Sequence, residues 1–176
     1  MGYYDNIGKT MVKGLMVHDQ LTQYFAFLGF YGYSKFHEYQ YIEESRRYQK
    51  FCLDYTKKYG KLIYMDKIDN PEVIPQTWYN YSTDDVNTQT KIQSIKNGFE
   101  AWINWEKDVI DILKVEYSKA FEDDNMYAMN VIMDILVDVM DEWEDAKEKL
   151  RNLEVTDYDM TEIINCQRLL VDKYTL

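Results

Sequence analysis

The chain has 176 residues, 46% of them hydrophobic and 16% aromatic, with seven glycines, two prolines and a formal net charge of −11. That composition excludes a disordered chain, and so few turn residues exclude a β-sandwich or barrel, which needs a turn every 8–12 residues or so. A pI near 4.6 sets the chain against phosphate backbones and toward cations, so nucleic acid is an unfavourable partner. No apolar run is long enough to span a bilayer. The opening MGYYDNIGKT has no apolar signal core, and Asn6 stands where myristoylation wants Ser or Thr. Cys52 and Cys166 lie far apart without a C-x-x-C pattern, which reads as two reduced packing thiols and a cytoplasmic location.

Apolar spacing is helical almost throughout and shows no repeat. A first helix is predicted over 10–33, with Thr10 as its cap and aromatic residues crowding its second half. A second follows over 35–59, stopped by Gly60. Residues 60–87 hold both prolines and form a long connection, extended over 61–68; so long a connection is commonly functional or packed as an arm. The third helix is predicted over 88–121, on the stripe Ile92, Ile95, Phe99, Trp102, Glu106, Val109, Leu113, Tyr117. Glu106 interrupts that stripe, and a carboxylate there is costly unless it is paired or bound to metal. The fourth helix is predicted over 126–153, with Met126, Met129, Met133, Leu136 and Met140 as its core face. A short fifth covers 160–171. The expected architecture is a single all-α domain over 1–176: a four-helix bundle with one long crossover and an appended helix.

Three segments carry a resemblance. They are Leu169-Leu170-Val171-Asp172-Lys173-Tyr174-Thr175-Leu176 at the C-terminus, Trp105-Glu106-Lys107-Asp108-Val109, and Gly60-Lys61-Leu62-Ile63-Tyr64-Met65-Asp66-Lys67-Ile68 followed by Asn70-Pro71. In order and spacing they resemble ferritin over most of the chain. Two features depart from that pattern. The connection between the first two helices is short, and the stretch from Pro71 to Glu106 is longer by about four helical turns. The extra segment, 72–90, is expected to cover an interface or a pore.

The resemblance implies iron as cargo and a self-assembling homo-oligomeric cage of roughly 24 subunits. It also implies a two-metal oxidase centre built from glutamates on facing helices and a Glu-x-x-His pair. Carried onto this sequence, the first-helix glutamate falls on Gln20 or Gln23. The Glu-x-x-His falls on Ser45-Arg46-Arg47-Tyr48, the third-helix glutamate is Glu106, and the fourth-helix glutamine falls on Met140. One anionic ligand of the set remains, and one anion does not offset two dications in a dry bundle. The oxidase centre is therefore expected to be degenerate or rebuilt, with weak or absent ferroxidase activity. Tyr48 would offer a tyrosinate for ferric iron, or would simply pack beside Glu106. Glu43 and Glu44, with Glu38 upstream, would nucleate mineral, unless Arg46 and Arg47 neutralise them.

The family's acidic channel positions fall on Asn130 and Met133, with Asp134 adjacent and Asp123 and Asp124 at the outer mouth. This predicts a less electronegative throat and slower entry. Cys166, Leu170 and Tyr174 fall on channel-facing positions of the last helix and predict a closed pore. Asp134, Asp138, Asp141, Glu142, Glu144 and Asp145 read as a solvated face, with a metal cluster on the shared face of Asp134, Asp138 and Asp141 as the alternative, and His18 and His37 read as surface or turn residues without ligand spacing. Two other functions stay open at this point. One is an active oxidase that uses Glu106, Glu44, Tyr48 and Gln20 or Gln23. The other is a structural bundle without iron chemistry.

Overall fold

The computed structural model describes residues 2–174. The last two residues of the C-terminal segment quoted above lie outside that range. Five α-helices follow one another: α1 (Tyr3–Phe27), α2 (Tyr31–Tyr59), α3 (Thr88–Glu122), α4 (Met126–Val155) and α5 (Met160–Tyr174). Among the described residues there is no strand, and no helix is long and apolar enough to cross a membrane.

The first helix differs from its prediction at both ends. It begins at Tyr3, where Asp5 accepts a hydrogen bond from the Gly2 N–H at 3.1 Å and so satisfies an N–H left over at the helix start. It ends at Phe27 rather than Tyr33, because Gly29 takes φ +81, a left-handed conformation that costs glycine nothing. The aromatic spacing runs straight on into α2 and hides this break. The later boundaries follow local chemistry. The Asn87 side chain accepts from Thr90 N–H at the start of α3, and Asn125 does the same for Ala128 at the start of α4. Gly60, at φ +62, closes α2.

The crossover runs back along α1. Tyr64 N–H donates to Asp5 at 2.8 Å, Lys9 pairs with Asp66, and Trp78 stacks on Tyr24 at 5.2 Å and 8°. Because the connection retraces α1 from its start to its end, α3 begins beside the start of α2 and runs parallel to it. Two short 3-10 turns, Gln76–Asn80 and Thr83–Asp85, lie within it.

Two apolar clusters stack along the bundle. One centres on Leu21, Phe25, Phe99 and Trp102, the other on Ile7, Leu113, Ile132 and Val139. The buried face of α4 is Ala128, Ile132, Leu136, Val139, Ala146 and Leu153. The methionine stripe predicted as its core is instead exposed at Met126, Met133 and Met140. Close helix approach favours small residues, so Ala128 and Ala146 take the buried positions. Where α5 docks, Gly32 lies against the Gln167 backbone. A Cβ there would sit 2.6 Å from the Gln167 Cα, so glycine is the residue that this contact allows.

Candidate metal centre

Between the two apolar clusters lies a layer of titratable side chains from all four long helices. From α1, His18 is wholly buried. Its Nε2 stands 3.5 Å from Glu44 Oε1 of α2 and 3.8 Å from Glu106 Oε1 of α3. From α4, Glu142 joins them. Ligand atoms of His18, Glu44 and Glu142 all lie within 4.8 Å of one another. Three of the atoms here, His18 Nε2, Glu44 Oε2 and Glu142 Oε2, are buried without a hydrogen-bond partner. Buried polar atoms are nearly always satisfied, so three orphans pointing at one place call for an occupant.

The surroundings fix each group. Trp102 Nε1–H donates to Glu106 at 2.9 Å. Arg47 donates to Glu142 at 2.9 Å and reaches Asp138 at 3.6 Å. Gly14, one turn before His18, leaves room for the Glu44 carboxylate: a Cβ there would lie 2.9 Å from its Oε2. Below the layer a cavity of about 230 Å³ reaches Glu44 and Glu106, walled by Ile7, Phe51, Val109 and Leu113, with Arg47 and Asp138 also on its lining.

The protons follow from these contacts. Burial works against the His18 cation, but the charge of the adjacent Glu44, then of Glu106 and Glu142, outweighs it and pushes the imidazolium up to about 9. Burial, and after it Glu142, holds the Glu106 carboxyl well above the usual range, against the pull of His18. Burial and Glu44 raise Glu142, with Arg47 opposing. His18 Nδ1 lies 3.0 Å from Nδ1 of His37, which burial and then the neighbouring His18 charge keep neutral.

Several sequence-derived residues lie elsewhere. Gln20 is buried, but its amide donates to Asn70 and Pro71 and accepts from the Val73 N–H at 2.9 Å and the Ile74 N–H at 3.4 Å. It anchors the crossover. Gln23 is exposed and donates to Asp19. Tyr48 points to Met65 at 3.7 Å, not to Glu106, and burial with the nearby Cys52 pushes its phenol up to about 12. Glu43 is taken by Arg46 at 2.6 Å.

The i,i+3 pair that faces the layer from α2 is therefore Glu44 and Arg47, one residue before Ser45 and Tyr48. On α4 it is Glu142, two residues past Met140. Each residue turns a helix by about 100°, so such slips turn the chosen side chain away. His18, His37 and Glu142 were read as surface residues and are buried or nearly so. The signal that finds them is position. His18 lies on the buried stripe Ile7, Gly14, Leu21, Phe25, and Glu142 falls between Val139 and Ala146.

Asn130, Met133 and Asp134 are exposed on α4. On α5, Cys166 is exposed. Leu170 and Tyr174 are half-buried and pack on their own chain's core, with Tyr174 against Phe36 and Tyr39 at 5.4 and 4.9 Å.

No protein-family model matches the sequence, and no curated relative does. Solved structures do. An open-pore ferritin from the hyperthermophilic archaeon Archaeoglobus fulgidus superposes with a TM-score of 0.77, covering 96% of this chain and 93% of its own at 14% identity. The chain has the ferritin fold. A humanized archaeal ferritin and an engineered closed form of the Archaeoglobus fulgidus ferritin superpose equally well, each with a TM-score of 0.77 at 15% identity, covering 96% of this chain and 92% of theirs. At that identity the likeness is one of fold. The site's chemistry rests on this chain's own residues.

Proposed function

We propose that the chain binds one divalent cation, with ferrous iron as its cargo, at His18, Glu44 and Glu142 with Glu106 beside them. We further propose that it works as a subunit of a self-assembling, ferritin-like shell that stores or sequesters iron. The observation that carries the first part is that His18, Glu44 and Glu142 bring ligand atoms within 4.8 Å of one another, and that each of the three also has a buried polar atom without a hydrogen-bond partner. One imidazole and two carboxylates suit a borderline or hard divalent ion. They do not suit two. A second dication would need further anions, and the Arg47 guanidinium already occupies Glu142 and Asp138. A two-metal oxidation centre is thus absent from this reading, in which a single ion is held.

Assembly is supported by the fold shared with the archaeal ferritins, and a count near 24 belongs to the family resemblance. Glu43 is compensated by Arg46 and Glu44 is turned into the layer toward His18, which weakens a nucleating role for that pair. The test is aerobic Fe(II) oxidation and iron loading by the assembled protein, beside Glu106→Ala. The expected result is retained iron with no fast oxidation phase in either protein. A fast wild-type phase that Glu106→Ala abolishes would establish a rebuilt oxidase instead. Failure to retain iron would leave a structural shell.

A further inference from the structure

His37 touches none of the carboxylates, yet it is the best-clamped ring in the layer. It is 1% exposed. Phe25 lies parallel to it at 5.4 Å and 2°. Trp102 and Phe36 meet it edge-on at 4.9 and 5.1 Å. These neighbours fix its plane and offer no acceptor for a charged ring. Its Nδ1 lies 3.0 Å from Nδ1 of His18. Two imidazole nitrogens at that distance share one hydrogen, so one ring donates and the other accepts.

The choice between them decides what His18 shows to the carboxylates. If His37 donates, the neutral His18 carries its proton on Nε2 and offers no lone pair to a cation. If His37 accepts, the His18 proton stays on Nδ1 and Nε2 is free. The structure favours the second arrangement. Nε2 has no hydrogen-bond partner, with Glu44 Oε1 3.5 Å away, so of the two ring positions it holds a proton the less firmly. The Nδ1 hydrogen bond, by contrast, is short and buried.

We infer that His37 is a positioning residue, accepting the Nδ1–H of His18 so that Nε2 of that ring faces a divalent cation. This inference rests on the reading of His18, Glu44 and Glu142 as the cation site. It adds what that reading lacks, a reason for a second buried histidine that cannot itself reach the ion. Partners of this kind usually are carboxylates or backbone carbonyls. Here a neutral imidazole does the work, so no further negative charge enters a layer that already holds three carboxyl groups.

The test uses the full chain and Zn(II) as a diamagnetic probe. Zinc affinity is measured by calorimetry at one pH for the wild type, His37→Phe, His37→Asn and His18→Ala. The expected result is a loss of about 10–100-fold in His37→Phe, largely recovered in His37→Asn, whose amide oxygen accepts the same hydrogen. Nitrogen-15 NMR of the zinc-loaded wild type supplies a readout that needs no folded variant: the proton is expected on Nδ1 of His18 and on Nε2 of His37. Unchanged affinity in His37→Phe, or a proton on Nδ1 of His37, would overturn the role while leaving the site standing. No zinc binding by the wild type, or binding that survives His18→Ala, would overturn the site and this role with it.

Discussion

Arg47→His tests why this layer holds one cation. The substitution turns Glu44-Ser45-Arg46-Arg47 into a Glu-x-x-His pair facing the bundle interior, the arrangement that two-metal bundles use. It also removes the guanidinium that stands 2.9 Å from Glu142 and 3.6 Å from Asp138. The Arg47 side chain is 41% exposed and that of Glu142 only 11%. The pair therefore lies between a surface bridge, worth about 0–1 kcal/mol, and a buried one whose breaking costs about 3–5 kcal/mol. A loss of about 2 kcal/mol in the metal-free protein is expected, since a neutral imidazole does not replace the cation. With a urea slope of about 2 kcal/mol per molar, the unfolding midpoint in chelator falls by about 1 M.

Equilibrium dialysis against Mn(II) reads the second consequence. The wild type is expected to take up one ion per chain at this layer and Arg47→His two, with His18→Ala lowering both counts. Two tightly held ions in the wild type would refute the charge argument, and so would a count of one in a folded Arg47→His protein with an unchanged urea midpoint.

Three further perturbations have outcomes that the geometry sets. A His18 imidazolium raised to about 9 from the ordinary histidine value of 6.5 stabilises the metal-free fold fully below about pH 6.5. That contribution, about 3 kcal/mol, declines above this pH and is gone past about pH 9. Urea unfolding in chelator at pH 6 and pH 9.5 measures it, and equal midpoints would contradict it. Gln20→Ala removes the amide that ties the crossover at Asn70, Pro71, Val73 and Ile74. It should cost about 1–3 kcal/mol and speed hydrogen exchange of the 70–74 amides while α3 stays protected; unaltered exchange there would count against the anchor. Gly32→Ala puts a methyl group into the Gln167 backbone and should loosen α5 from α2. Cross-linking or limited proteolysis at α5 reads this, and a variant with α5 equally protected would show that the helix can shift aside.

The fold was legible because it depends on coarse signals: long helical periodicity, few glycines, one proline-bearing connection and a stop at Gly60. Errors of a few residues at the 28–30 turn leave the bundle intact. The site had no such tolerance. Glu106 stood out because a carboxylate interrupts an apolar stripe, and Glu44 because it adjoins the family's expected pair. Arg47 and Glu142 were misplaced by slips of one and two residues. His18 was missed because ligand spacing was sought along the chain, while its partners come from three other helices. The buried stripes of α1 and α4 contain the positions that meet in the layer, so burial pattern was the better guide to them than motif alignment.

The charges of the layer also fix what a cation must displace. Without an ion, the neighbouring carboxylates favour the His18 imidazolium, and burial holds the Glu106 carboxyl well above the usual range. A dication at Nε2 requires His18 to give up the proton there, and its charge also favours loss of the Glu106 proton. Since ligand atoms must be deprotonated to bind, uptake of one Mn(II) near neutral pH should release about two protons. The apparent affinity should then rise by about two powers of ten per pH unit until His18 titrates. Calorimetry in buffers of different ionisation heat counts the protons directly. Release near zero would mean that the ion sits on exposed carboxylates such as Asp134 and Asp138, outside the buried layer, and that the orphaned atoms of His18, Glu44 and Glu142 are not its ligands.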